Sequence, residues 1–257
     1  MEFYKMDGAG NDFVVVDNRD GRISLTEKEI ALMCHRRLGI GADGLMTLDP
    51  AAGNYDFTMR YYNSDGRLGS MCGNGGRCIA FLANILGMGE RVRFTAYDGP
   101  HEATVTPDHP NGRKAIVALS MQDVRKESIR HIANGIYLDT GSPHFVLEVN
   151  DINNYNVVGC GKELRNRKDL FPHGANIDFV EQGPDGVWRM RTYERGVEDE
   201  TLACGTGVTA VAIALQCHRV DTRLAHFNVD YESLTESFHN IVLTGPASLN
   251  FTGRWPL

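Results

Sequence analysis

Two stretches of this chain are variants of one another, and that duplication constrains the fold more than any other feature. Met71-Cys72-Gly73-Asn74-Gly75-Gly76-Arg77-Cys78 and Ala203-Cys204-Gly205-Thr206-Gly207-Val208-Thr209-Ala210 both contain Cys-Gly-X-Gly. Each opens a strongly apolar run, residues 78–86, stopped by Gly87, and residues 208–215. Runs apolar on every side do not suit a surface helix, so each reads as a buried helix with cysteine at its N-terminus. The echo continues upstream. Gly10-Asn11-Asp12-Phe13-Val14 resembles Gly141-Ser142-Pro143-His144-Phe145-Val146, and both phenylalanines lie 59 residues before their cysteine. Gly41-Ala42-Asp43 matches Gly174-Ala175-Asn176, and Tyr62-Asn63-Ser64-Asp65-Gly66 loosely matches Tyr193-Glu194-Arg195-Gly196. Echoes in the same order at near-constant offset argue for a duplicated unit of roughly 130 residues.

Between these landmarks the pattern is mostly strand. Segments 13–16, 57–62, 92–96, 115–119, 145–149, 177–180 and 188–193 are short, β-branched or aromatic, and bounded by turn residues. Residues 26–37 read as a helix, with Thr26 as cap and Glu29 closing a capping box; 154–165 is the weaker counterpart. The polar turn Asp108-His109-Pro110-Asn111-Gly112-Arg113 suits a linker. The expectation is an α+β chain of two similar halves, 1–113 and 114–246. Each carries a glycine-rich turn leading into one buried helix.

Composition removes other classes. The chain has 257 residues, 42% of them hydrophobic, with 26 Lys+Arg against 33 Asp+Glu. It is long enough to bury a core without staples. A net charge of −7 and the lack of a basic run argue against nucleic acid or an anionic membrane surface as partner. No secretory signal and no apolar run near 18 residues is legible, so the expected location is the cytoplasm. Six cysteines without C-x-x-C or zinc-finger spacing make a disulfide framework or a metal site a poor reading. Cys78 and Cys217 fall in apolar helical runs, and they read, with Cys34 and Cys160, as buried small hydrophobes. Cys72 and Cys204 differ, because glycines crowd around them.

A helix N-terminus exposes backbone N–H groups and carries about half a positive charge. It stabilises a thiolate and binds a carboxylate, and glycines let a ligand approach. If the halves face one another, both cysteines point into one cleft. One thiolate then removes an α-hydrogen while the other thiol protonates the opposite face, and the carbon inverts. A carbanion is a far stronger base than a thiolate, so the site must stabilise it, and N–H donors with two helix dipoles are the credible source. Spacing alone leaves two other readings open: small residues in tight turns, or a redox pair.

These residues resemble the diaminopimelate epimerases, a pyridoxal-phosphate-independent family of amino-acid epimerases. The similarity rests on Lys5-Met6-Asp7-Gly8-Ala9-Gly10-Asn11-Asp12-Phe13, Gly41-Ala42-Asp43-Gly44, Asn63-Ser64-Asp65-Gly66, the two cysteine motifs, Gly141-Ser142-Pro143-His144 and Tyr193-Glu194-Arg195-Gly196. It implies two pseudo-symmetric halves, each a β-barrel-like sheet around a central apolar helix, with the site between them. A last strand, about 247–257, would return to the first half. It implies Cys72 and Cys204 as the acid/base pair, with Gly73, Asn74, Gly205 and Thr206 supplying N–H donors. Asn11, Asn63, Asn176, Glu194 and Arg195 would position the substrate, Arg195 holding the distal carboxylate. It implies interconversion of LL- and meso-diaminopimelate for lysine or cell-wall precursor synthesis. No cofactor and no metal enter. The partner is the small-molecule substrate, with a homodimer left open. The family commonly has Asn where this chain has Ser142, a shorter side chain with one donor. The runner-up is a proline or hydroxyproline epimerase, whose first motif usually has His in place of Asn74. A thiol–disulfide redox protein is the alternative from another class.

Overall fold

The computed structural model describes residues 1–109 and 112–256. Pro110 and Asn111 of the expected linker, and Leu257 of the returning strand, lie outside the described residues. The chain divides into two compact units, Met1–Leu119 together with the residues from Gly245 onward, and Ser120–Thr244.

The first unit contains β1 (Glu2–Gly8), β2 (Asn11–Asp17), α1 (Glu27–Cys34), β3 (Gly44–Asp49), β4 (Phe57–Asn63), α2 (Gly73–Ile85), β5 (Arg91–Ala96), β6 (Gly99–Pro107) and β7 (Lys114–Ser120). β1 runs antiparallel to β2, β2 parallel to β3, β3 antiparallel to β4, and β4 parallel to β5. Antiparallel pairs then join β5 to β6 and β6 to β7. Residues Gly245 to Ser248 of the last strand, Ser237–Arg254, pair with β7, and its end pairs with β1, which closes the ring of strands. β6 and β7 pair as far as Pro107 and Ala115, and the Asp108 N–H donates to the Lys114 carbonyl at 3.0 Å. The unit boundary falls between Leu119, the last β7 residue paired with β6, and Ser120.

α2 packs against β1 through β6 and is buried from Gly73 to Ala83. Each fully buried Ile, Phe or Leu in such a helix is worth about 1.5–3 kcal/mol, so packing rather than intrinsic propensity holds a glycine-rich first turn in place. α1 has the expected capping box, Thr26 and Glu29 satisfying each other's backbone N–H groups. It ends at Cys34, short of the expected Arg37. His35 is extended there, and the N–H groups of Ile40 and Gly41 fold back onto the Met33 carbonyl.

The second unit contains β8 (Val124–Arg125), β9 (Arg130–Ile132), β10 (Gly135–Asp139), β11 (Pro143–Glu148), α3 (Val157–Arg165), β12 (Asn176–Gln182), β13 (Trp188–Glu194), β14 (Asp199–Thr201), α4 (Gly205–Leu215), β15 (Arg219–Asp221) and β16 (His226–Ser233). β17 is the strand Ser237–Arg254 already met. Here β10 runs antiparallel to β9 and β11, β11 parallel to β12, β12 antiparallel to β13, and β13 parallel to β15. β16 and β17 follow as antiparallel neighbours, and β17 pairs with β8. The alternation of parallel and antiparallel pairs matches that from β2 to β5. α4 is buried from Gly205 to Ile213 and packs against β10, β11, β12, β15 and β16. α3 starts at Val157, capped by Asn156, not at residue 154.

Two cysteines depart from expectation. Cys217 lies beyond α4, which stops at Leu215 because Gln216 is left-handed, and both Cys217 and Cys160 are only half-buried. Among the described residues no helix is long and apolar enough to cross a membrane.

Candidate active site

Cys72 is the N-cap of α2 and Cys204 the N-cap of α4. Their backbones are nearly superposable in angle, φ −119° and ψ 115° against φ −124° and ψ 112°. An extended residue followed by glycine lets each chain enter its helix with the thiol at the mouth of the first turn. Their surroundings differ.

In the first unit, Cys72 donates its S–H toward Asn11 Oδ1 at 3.7 Å, and Asn74 Nδ2 donates to the same oxygen at 3.2 Å. Asn11 Nδ2 donates to Asp43 Oδ2 at 2.7 Å, which fixes the amide with its oxygen toward the thiol. Asp43 is held by Arg36, and Arg36 also binds Asp12, which in turn binds Lys5. Burial disfavours the Asp12 charge, but the hydrogen bonds from Arg36 and Lys5 outweigh it and hold the carboxyl at about 2. Arg77 is fully buried one turn into α2. It donates to the Gly73 carbonyl, Asn74 Oδ1 and the Pro246 carbonyl, and burial lowers its pKa to about 10. Gly73 and Asn74 thus stand at the helix start beside Cys72 and Asn11. Asn63 is exposed at the end of β4, where its N–H and carbonyl close the turn through Arg67 and Gly66.

In the second unit, Cys204 is buried, with Sγ 3.4 Å from Thr206 Oγ1. Thr206 Oγ1 is 2.9 Å from His144 Nε2, and His144 Nδ1 is 2.7 Å from Asp178 Oδ2. The helix start was expected to lower a thiol pKa. At Cys204 the balance goes the other way. Burial, then the carboxylates of Glu194 and Asp178, push it well above the usual thiol value, against its hydrogen bonds with the Thr206 side chain and the Gly207 backbone. Asn176 Oδ1 accepts from the Arg195 N–H at 2.8 Å, and its Nδ2 donates to Ser142 Oγ at 2.9 Å and the Pro143 carbonyl at 3.1 Å. Ser142 therefore anchors a neighbouring amide. The turn after Glu194 is shaped by Gly196, at φ 94°, and by Glu198, which accepts from the Gly196 N–H and from Arg165. Arg195 is half-buried as a residue, and its guanidinium donates to the His173 carbonyl at 3.4 Å.

Asn11, Cys72, Gly73 and Asn74 form one cluster in the first unit. Cys204, Gly205, Thr206, Asn176, Glu194 and Arg195 gather in the second, joined through His144. Sequence reasoning assigned no role to Arg77, Asp43 or Asp178. A charged residue against or inside an apolar run, Arg77 at the head of 78–83 and Asp178 between Ile177 and Phe179, is the signal that marks two of them. Among the described residues no group of three or more His, Cys, Asp or Glu side chains could hold a metal ion.

The family model for diaminopimelate epimerase matches residues 3–126 and 136–249. The chain belongs to the diaminopimelate epimerase family. It is therefore an isomerase. The diaminopimelate epimerase of Chlorobaculum tepidum is 41% identical, covering 96% of this chain and 98% of that one. That of Flavobacterium psychrophilum is 40% identical over 98% of each. Among solved structures, a hydroxyproline epimerase from Agrobacterium vitis superposes with a TM-score of 0.73 at 16% identity, over 98% of this chain and 91% of that one. A PhzF-family phenazine biosynthesis protein from Bacillus anthracis gives 0.68 at 14% identity, over 100% and 99%. At these identities the likeness is one of fold.

Proposed function

We propose that this epimerase interconverts LL- and meso-diaminopimelate by moving a proton between two thiols, Cys72 and Cys204, without pyridoxal phosphate. The observation that carries the reading is the matched pair of helix starts, each with a cysteine N-cap of the same backbone geometry ahead of a buried helix. In this reading the two units are pseudo-symmetric, each a sheet wound about its own helix, and the site lies between them. One thiolate takes the α-hydrogen and the other thiol returns a proton to the opposite face. The Gly73, Asn74, Gly205 and Thr206 N–H groups hold the reacting carboxylate and stabilise the charge that develops on it. Asn11, Asn63, Asn176 and Glu194 position the substrate, and Arg195 takes the distal carboxylate with its planar fork. Asn176 supports that role by holding the Arg195 backbone. The same chemistry places the enzyme in lysine or peptidoglycan precursor synthesis.

The test is direct turnover. Purified protein with no added cofactor should convert LL-diaminopimelate to the meso form, and should leave lysine and proline essentially untouched. Efficient turnover of proline would move the assignment to the proline and hydroxyproline epimerases.

A further inference from the structure

We infer that Asp178 is a positioning residue for Cys204, acting through His144 and the Thr206 hydroxyl as a buried proton relay. This rests on the reading of Cys204 as one of the two acid/base groups.

The geometry is continuous. Asp178 and His144 are both fully buried, a placement that is costly for a carboxylate unless it is paired and hydrogen-bonded. Asp178 Oδ2 meets His144 Nδ1 at 2.7 Å, and its Oδ1 accepts from the Thr192 hydroxyl at 2.7 Å. A carboxylate can only accept, so Nδ1 carries the hydrogen and Nε2 is the acceptor. Thr206 Oγ1 lies 2.9 Å from that nitrogen, and Asn176 Nδ2 approaches it at 3.3 Å. Thr206 Oγ1 in turn lies 3.4 Å from Cys204 Sγ. The Thr140 hydroxyl, just beyond β10, donates to the Thr206 carbonyl at 2.8 Å and steadies this turn. Gly207 is part of the arrangement: a Cβ there would stand 2.8 Å from Asp178 Oδ1 and 3.2 Å from His144 Cε1. The helix start sits directly on the Asp–His pair.

The proton path balances. Cys204 passes its hydrogen to Thr206 Oγ1 as the Thr206 hydroxyl hydrogen passes to His144 Nε2. The S–H and original O–H bonds break, a new O–H and an N–H form, and no electron is transferred. Thr206 ends neutral, leaving a thiolate and an imidazolium held against Asp178. Beside Cys72, Asn11 is an amide that accepts a hydrogen bond and cannot take the proton.

The charged groups acting on Cys204 are Asp178 on β12 and Glu194 on β13, and the titratable group on β11 is His144. As a bare negative charge, Asp178 would hinder thiolate formation, and removing it would ease ionisation. As the anchor of the relay it favours transfer, and removing it hinders ionisation. The two roles predict opposite signs.

The experiment titrates thiolate ultraviolet absorbance against pH in the full-length protein, subtracting the Cys204→Ser form of each variant. Asp178→Asn and Thr206→Val should move the Cys204 midpoint upward by about one unit, a tenfold change in its ionisation constant. Thr206→Ser, which keeps the hydroxyl, should stay near the wild type. The upward limb of the kcat/KM–pH profile should move with the midpoint. An unmoved or lowered midpoint in Asp178→Asn would overturn the relay. If that variant does not fold, an unmoved Thr206→Val midpoint overturns it equally. The titration needs no turnover, so an absence of activity on diaminopimelate would count against the proposed function and leave the relay standing.

Discussion

Cys72 and Cys204 begin their helices alike and differ in what they touch, which shows how little a thiol's chemistry depends on its motif alone. The other cysteines are bystanders; burial pushes Cys34 up to about 12 and Cys217 to about 11. Arg195 owes its place to a backbone bond with Asn176, which a side-chain change leaves intact. Arg195→Lys should therefore fold normally and lose kcat/KM on diaminopimelate by about 10- to 100-fold, because one ammonium cannot replace a bidentate fork worth about 1.5–3 kcal/mol. Steady-state kinetics on Arg195→Lys and Arg195→Ala check this, and an indifferent Arg195→Ala would remove the distal-carboxylate role. Asp12 makes a claim about pH. Its folded value of about 2 lies below its ordinary 3.8. Its stabilising contribution is thus complete above the unfolded value and is lost as pH falls through the folded one. Asp12→Asn should lose stability at neutral pH and converge with the wild type near pH 2, read from urea midpoints across that range.

The α2 start is seated on the end of β1 with no room to spare. A Cβ on Gly8 would come within 2.8 Å of the Asn74 carbonyl oxygen and 3.2 Å of its Cα, and backbone cannot step aside as a side-chain tip can. Gly8→Ala should cost about 1–3 kcal/mol and depress turnover by displacing Asn74, measured by urea denaturation and kinetics together. The capping box is a milder case: Thr26→Ala should cost about 1 kcal/mol and leave activity alone, since α1 only braces the sheet. Much at this level was legible. The apolar runs after Cys72 and Cys204, the capping box and all the strands expected from β-branched and aromatic segments are present. What was not legible has physical causes. β6, with Pro at both ends and only His101, Ala103 and Val105 facing inward, lacks the bulky alternation that marks a strand. The end of α1 is set by the Met33 carbonyl, capped from residues 40 and 41 beyond the helix. The raised thiol of Cys204 follows from carboxylates on β12 and β13 that no local motif contains.

The duplication was readable because the chemistry repeats at a constant offset. β17 serves the second unit up to Thr244 and the first from Gly245, so no turn or linker marks where it passes from one to the other. Membership of the epimerase family and two matched cysteine N-caps converge on one chemical claim, inversion at carbon by two thiols. The most direct measurement incubates LL-diaminopimelate with the protein in heavy water, without cofactor, and follows stereochemistry and deuterium together. The wild type should produce the meso isomer carrying one solvent deuterium at the inverted α-carbon, and Cys72→Ala and Cys204→Ala should each fold and invert several orders of magnitude more slowly. Inversion without deuterium uptake, or either alanine variant working near the wild-type rate, would contradict the two-thiol mechanism.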